Sequence, residues 1–219
     1  HYKGKLMKII SPSLLSANFI NLSNDIKRLN DIGVKRLHLD VMDGHFVPAL
    51  TFGPLIIDFI RKETDMHLET HLMIKSPKNS LIQYINAGSD TIIMHLESSS
   101  DIKNDLLFIK KHNIFAGLAI NPETNENDLI PYLDLIDYIL IMSVNPGKGG
   151  QSFIKETLSK MENIVNLKNG RNITIGVDGG INMQTISEVY KTGIDVTIIG
   201  SGLFNASDIR KRYNKLLNA

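Results

Sequence analysis

The chain has 219 residues, 42% of them apolar and 21% charged, with a net charge of +1. That apolar content can bury a sizeable core and excludes a disordered chain, while so small a net charge gives no long-range field to gather nucleic acid or an anionic membrane, so any anion must be bound locally. Cysteine is absent, which excludes a disulfide framework and thiolate chemistry, and no apolar run approaches the roughly 20 residues that a membrane helix needs.

A cytoplasmic protein with a small-molecule partner, and with neither nucleic acid nor membrane as partner, is therefore expected. The start, His1 to Leu6, lacks the apolar stretch of a signal peptide. Because the chain does not begin with Met, Met7 is expected to stand near the natural start, and residues 1–6 are set aside from fold reasoning.

Runs rich in Ile, Val, Leu and Met alternate with amphipathic stretches of helical period. In chain order the pattern predicts a strand over 8–14 and a helix over 22–32, then a strand over 36–41 and a helix over 54–62. Strand 66–73 precedes helix 78–87, and strand 91–95 precedes helix 103–112. Further strands are predicted over 114–120 and 138–143, with a helix over 153–167, then strand 173–177, helix 183–191 and strand 196–200. Gly33, Gly88 and Gly193 stand where helices are commonly closed, and Pro54 and Pro77 where they open. Alternating βα units imply a parallel sheet with helices outside it, and eight of them predict closure into a (β/α)8 TIM barrel, with a doubly wound open sheet as the rival. No Pro/Gly/Ser-rich linker divides the chain, so residues 1–219 are expected to form one domain.

Side chains two apart on a strand share a face. In the second strand Leu37, Leu39 and Val41 form an apolar set that packs under helices, which turns His38, Asp40 and Met42 inward. The third strand turns His67, Glu69, His71 and Met73 inward by the same count, and the seventh runs into Asp178. A lone histidine or aspartate near a strand end is more often a structural hydrogen-bonding residue. Several inward charges converging at one end of a barrel, however, suffer desolvation unless a cation or mutual pairing compensates them. Two imidazoles and two carboxylates suit one divalent ion, Zn2+, Fe2+, Mn2+ or Co2+, and the donor types do not choose among these.

The last third of the chain carries three glycine-rich turns, Asn145-Pro146-Gly147-Lys148-Gly149-Gly150-Gln151, Asp178-Gly179-Gly180 and Gly200-Ser201-Gly202. Glycines let backbone N–H groups approach an anion closely, and turns after the seventh and eighth strands of a barrel are a recurrent phosphate cradle. Gly147, Gly149, Gly150, Gly179, Gly180, Gly200 and Ser201 are the candidate anion contacts; Lys148 is left outside the core site.

The run His38-Leu39-Asp40-Val41-Met42-Asp43-Gly44-His45-Phe46-Val47-Pro48 followed by Thr51-Phe52-Gly53 resembles a signature of the ribulose-phosphate 3-epimerases. Leu140-Ile141-Met142-Ser143-Val144-Asn145-Pro146-Gly147 through Gly149-Gly150-Gln151-Ser152-Phe153 is similar to the family's other signature. Ile10-Ser11-Pro12-Ser13-Leu14-Leu15-Ser16-Ala17, His71-Leu72-Met73 and Val177-Asp178-Gly179-Gly180-Ile181 match as well. The resemblance implies a metal held by His38, Asp40, His71 and Asp178, with Asp40 and Asp178 doubling as acid and base. It further implies substrate contacts from Ser13, His71 and Asp178, methionines Met42, Met73 and Met142 near the reacting carbon, and phosphate-binding turns at Gly149, Gly179, Gly180, Gly200 and Ser201. Ala49 stands where family members usually carry Asn, and Asn145 and Lys148 stand where Glu and an aromatic are common.

The implied reaction interconverts D-ribulose 5-phosphate and D-xylulose 5-phosphate by two-aspartate proton transfer through a metal-stabilised cis-enediolate, in a homo-oligomer. The same chemistry serves a sugar one carbon longer, so an epimerase of a hexulose 6-phosphate is an alternative; from another class, so is a non-catalytic sugar-phosphate binding protein. A decarboxylase or aldolase on a related barrel is disfavoured, because the chain has no Asp-x-Lys-x-x-Asp run.

Overall fold

The computed structural model describes residues 8–219, so the expectation for residues 1–6 and Met7 lies outside the described residues. Eight strands form one sheet: β1 (Ile9–Pro12), β2 (Arg36–Met42), β3 (His67–Met73), β4 (Thr91–His95), β5 (Phe115–Ile120), β6 (Tyr138–Met142), β7 (Thr174–Asp178) and β8 (Val196–Ile199). Every ladder is parallel and the order runs β1-β8-β7-β6-β5-β4-β3-β2. The two ends of that order meet at a parallel bridge between Ser13 and His38. A doubly wound sheet would reverse its order partway; this one runs round in sequence and is a nearly closed (β/α)8 barrel.

The helices are α1 (Leu22–Asp31), α2 (Pro54–Glu63), α3 (Leu81–Asn86), α4 (Ile102–Lys111), α5 (Thr157–Leu167), α6 (Ile186–Lys191), α7 (Ser201–Phe204) and α8 (Ile209–Leu217). Three begin later than the periodicity predicts, each for a local reason. Pro77 opens a 3-10 turn, Pro77–Asn79, before α3 starts. The segment before α5 is tied to the end of β6 by the Ile154 N–H, which donates to the Ser143 carbonyl at 2.9 Å. Ahead of α6, the Asn182 side chain accepts from the Gln184 N–H at 2.9 Å, a local turn that competes with helix. Between β5 and β6 the connection is a 3-10 run, Glu126–Tyr132, with Pro131 inside it; a proline there removes a backbone donor that an α-helix would need.

Strand alternation divides two cores. Leu37, Leu39 and Val41 of β2, Leu68 and Leu72 of β3 and Ile139 and Ile141 of β6 are buried in the layer between barrel and helices. Ile93, Ala119, Tyr138, Leu140, Met142, Val196 and Ile198 fill the interior. The Tyr138 ring fits there because Gly176 faces it, where any Cβ would collide with the phenol. With its lower half plugged in this way, the barrel leaves side chains free to converge only at the C-terminal ends of the strands.

Candidate active site

Register sets the site. Asp40 on β2 stands beside His71 on β3, His38 beside Glu69, and Met142 on β6 beside Asp178 on β7. One ligand atom from each of His38, Asp40, His71 and Asp178 lies within 4.8 Å of all the others. His38 Nε2 is 3.3 Å from His71 Nδ1 and 3.5 Å from Asp40 Oδ1; His71 Nδ1 is 3.2 Å from Asp40 Oδ1 and 4.0 Å from Asp178 Oδ2. Metal–ligand bonds of about 2.0–2.2 Å place donors around one tetrahedral ion roughly 3–3.5 Å apart; His38, Asp40 and His71 stand at that spacing, and Asp178, 4.0 Å from His71, stands a little outside it.

Behind the donors stands a second layer. Asp40 Oδ2 accepts from the Ser13 hydroxyl at 2.6 Å, which leaves Oδ1 for the cluster. His38 Nδ1 lies 3.4 Å from Glu69 Oε2, and since a carboxylate only accepts, this nitrogen carries a proton and Nε2 is the atom that faces the cluster. Glu69 is itself held by the Ser11 hydroxyl at 2.8 Å and by Arg36. His71 Nε2 lies 2.8 Å from His95 Nε2, and His95 Nδ1 lies 3.2 Å from Glu97 Oε2. The backbone of Asp40 is fixed too, its carbonyl accepting from the Thr51 hydroxyl at 2.7 Å.

With protein groups alone, the two carboxyls are driven apart. Burial works against the charge of Asp40, yet the His38 charge and hydrogen bonding hold it well below the usual carboxylate range. Burial and the neighbouring Asp40 charge push Asp178 up to about 7. Burial also opposes the charge on His38, but Asp40 outweighs it and raises His38 to about 10. His71, desolvated and beside two other imidazoles, falls to about 3. A proton on His38 thus balances Asp40, the role that a divalent cation between the four groups would take over. The donor chemistry fits such an ion.

Above the cluster lies a cavity of about 230 Å³, somewhat smaller than sites for drug-sized ligands of about 300–1,000 Å³. Ser13, Asp40 and Asp178 line it, with Met42, Met73 and Met142 as its apolar walls. Gly147, Gly149, Gly150, Gly179, Gly180, Gly200 and Ser201 line it as well, so all the candidate anion contacts reach one space. His38 and His71 lie beneath it among the donors. Gly180 has φ +66 and a Cβ there would collide with the backbone nitrogen of Phe153; Gly202 likewise leaves no room between its Cα and the Ile181 carbonyl. The turns can take these paths only with glycine.

Lys148 also lines the cavity, closer than its exclusion from the core site implies. Leu15 and Ser16, which fall in the matched run from Ile10 to Ala17, line it too, as does Asn182 beyond the matched runs. Glu69 and His95 were recoverable, the first by its inward count on β3, the second as a polar residue ending β4. Glu97 carried no such signal, since it lies beyond the strand.

A nearly closed parallel barrel with a His2Asp2 donor set at its C-terminal mouth defines the class: a (β/α)8-barrel protein with a cluster that could hold a metal ion where enzymes of this fold work. The chain belongs to the ribulose-phosphate 3-epimerase family, whose model matches residues 9–204. It is 37% identical over 210 residues to the ribulose-phosphate 3-epimerase of Bacillus subtilis (strain 168), covering 94% of this chain and 97% of that one. It is 41% identical over 217 residues to the protein of the same name from Buchnera aphidicola subsp. Schizaphis graminum (strain Sg), covering 95% of each. The crystal structure of KGPDC from Streptococcus mutans shares the fold, with a TM-score of 0.71 over 97% of this chain and 98% of that one at 12% identity. The motif resemblance is thereby borne out, and no helix among the described residues is long and apolar enough to cross a membrane.

Proposed function

We propose that this chain, a single domain, interconverts D-ribulose 5-phosphate and D-xylulose 5-phosphate by inverting carbon 3. The observation that carries the reading is the meeting of Asp40 and Asp178, with His38 and His71, under one cavity. Epimerisation beside a ketone removes a weakly acidic C–H proton and returns a proton to the opposite face, which one base does poorly. Asp40 and Asp178 rise from strands separated by β1 and β8 on one side and by β3 to β6 on the other, a placement that favours two faces of one planar intermediate. One acts as base, the other, protonated, as acid, and the roles exchange in reverse; opposed pKa shifts are what such a pair requires.

His38, Asp40, His71 and Asp178 would hold one divalent ion, Zn2+, Fe2+, Mn2+ or Co2+, whose Lewis acidity stabilises negative charge developing on the substrate oxygens. Ser13 orients Asp40 through the hydroxyl it donates and reaches the substrate from the same wall. Met42, Met73 and Met142 exclude water from the reacting carbon. The backbones of Gly147, Gly149, Gly150, Gly179, Gly180, Gly200 and Ser201 take the 5-phosphate. A homo-oligomer in the cytoplasm completes the proposal, in keeping with the absence of cysteine.

A coupled assay interconverting the two pentulose phosphates, run with elemental analysis of the same sample, tests this. Turnover that disappears with the metal and returns with a divalent cation is expected; full turnover by verified metal-free protein would remove the metal from the reading. Faster turnover of a hexulose 6-phosphate would reassign the substrate. Ligand binding with no deuterium gained from heavy water would make the chain a binder and not an enzyme.

A further inference from the structure

We infer that His95 and Glu97 are positioning residues that fix the tautomer of His71, so that its Nδ1 faces the donor cluster as a bare lone pair. The inference rests on the metal reading proposed above. Its basis is the count of protons along a chain of three hydrogen bonds that leads outward from the cluster.

The Glu97 carboxylate can only accept, so His95 Nδ1, 3.2 Å away, carries the proton of that ring. His95 Nε2 is then a lone pair, and its 2.8 Å approach to His71 Nε2 is a hydrogen bond only if His71 donates from Nε2. The His71 proton is thereby held on the far side of its ring. Nδ1 is left bare, 3.2 Å from Asp40 Oδ1 and 3.3 Å from His38 Nε2. Two acceptors facing each other at 3.2 Å repel unless a positive charge sits beside them, which the His38 proton supplies in the metal-free protein and a cation would supply in its place.

The outer end of the relay is rigid. One Glu97 oxygen, Oε1, accepts from the Asn121 N–H at 2.8 Å and from the Thr124 hydroxyl, both beyond the end of β5; the other, Oε2, faces His95. His95 is wholly buried, and the Phe46 ring packs against it at 4.8 Å between centroids. A ligand on β3 is therefore set by a residue on β4 and a turn after β5. His38 is held by Glu69 directly, so the two histidines are oriented by different routes.

Glu97→Gln is the informative variant because it changes little but the proton count. Its carbonyl oxygen keeps the Asn121 and Thr124 donors, so its NH2 group faces His95 Nδ1 and donates. His95 must then carry its proton on Nε2, His71 must accept there, and the His71 proton moves to Nδ1, where it blocks the ligand position. With Zn2+ as the probe, competition against a chromophoric chelator is expected to show affinity lower by about 10–100-fold.

Long-range 1H–15N spectra of the imidazoles in metal-free protein are expected to place the His71 proton on Nε2 in the natural protein and on Nδ1 in the variant. Thr124→Val, which disturbs the same turn but keeps the carboxylate, should retain the natural tautomers and most of the affinity. Natural affinity and tautomers in a folded Glu97→Gln protein would overturn the inference, as would an equal affinity loss in Thr124→Val with tautomers unchanged. If Glu97→Gln does not fold, the natural protein alone decides: a proton on His71 Nδ1 overturns the inference. Failure of the natural protein to bind Zn2+ would instead remove the metal reading beneath it, whatever the tautomers.

Discussion

At the scale of single residues, Asp40 and Asp178 are the same chemical group in two environments. Asp40 accepts from Ser13 and stands 3.2 Å from the nearer of two imidazoles; Asp178, with 18% of its side chain exposed, stands 4.0 Å from the His71 ring and lies under the field of Asp40. An amide at position 178 keeps the shape and the polarity but can neither take nor give the proton. Asp178→Asn is therefore expected to lower turnover by roughly 10²–10⁴-fold and to abolish exchange of the carbon 3 proton with solvent, while inorganic phosphate still binds. Near-natural rates in that variant would rule out the two-aspartate scheme.

At the scale of elements, the barrel works through the turns that leave the C-terminal ends of its strands. The turn after β7 passes so close to the segment leading into α5 that Gly180 cannot carry a side chain, and its φ of +66 is one that L-residues rarely adopt. Gly180→Ala imposes both penalties at once, with left-handed strain of about 1–3 kcal/mol before any collision is counted. Urea unfolding of ligand-free protein should show a lower midpoint and an unfolding free energy reduced by that order, and the KM for the sugar phosphate should rise because the N–H groups of the turn shift. An unchanged KM would mean that this turn does not hold the phosphate.

At the scale of the whole molecule, the four donors tie β2 and β3 to β7, across the seam where β1 meets β2 at the Ser13–His38 bridge. An ion bound there acts on the folded state alone, since the unfolded chain scatters its donors. At a concentration 100 times its Kd it adds about 2.7 kcal/mol, which in a chain of this size corresponds to a rise in Tm of roughly 5–10 °C. Calorimetry before and after chelation, with metal content verified, checks this; an unchanged Tm on complete removal would exclude the ion from the fold's support.

The sequence by itself determined the class of fold, because strand and helix periods are local: Leu37, Leu39 and Val41 alternate with His38, Asp40 and Met42 whatever lies elsewhere, and the same count turned Glu69 and His71 inward. It also determined the donor types, and the family motifs joined them into one site. Only the tertiary structure decided what depends on distance between segments far apart in the chain. Whether Asp178 lies within reach of His71 is a matter of ring closure; how far its carboxyl is pushed up is a matter of the field and burial that closure creates. That Glu97 bears on His71 through His95 depends on ångström spacings among β3, β4 and the turn after β5, and hydrogen bonds and charges act through space, where no period along the chain records them.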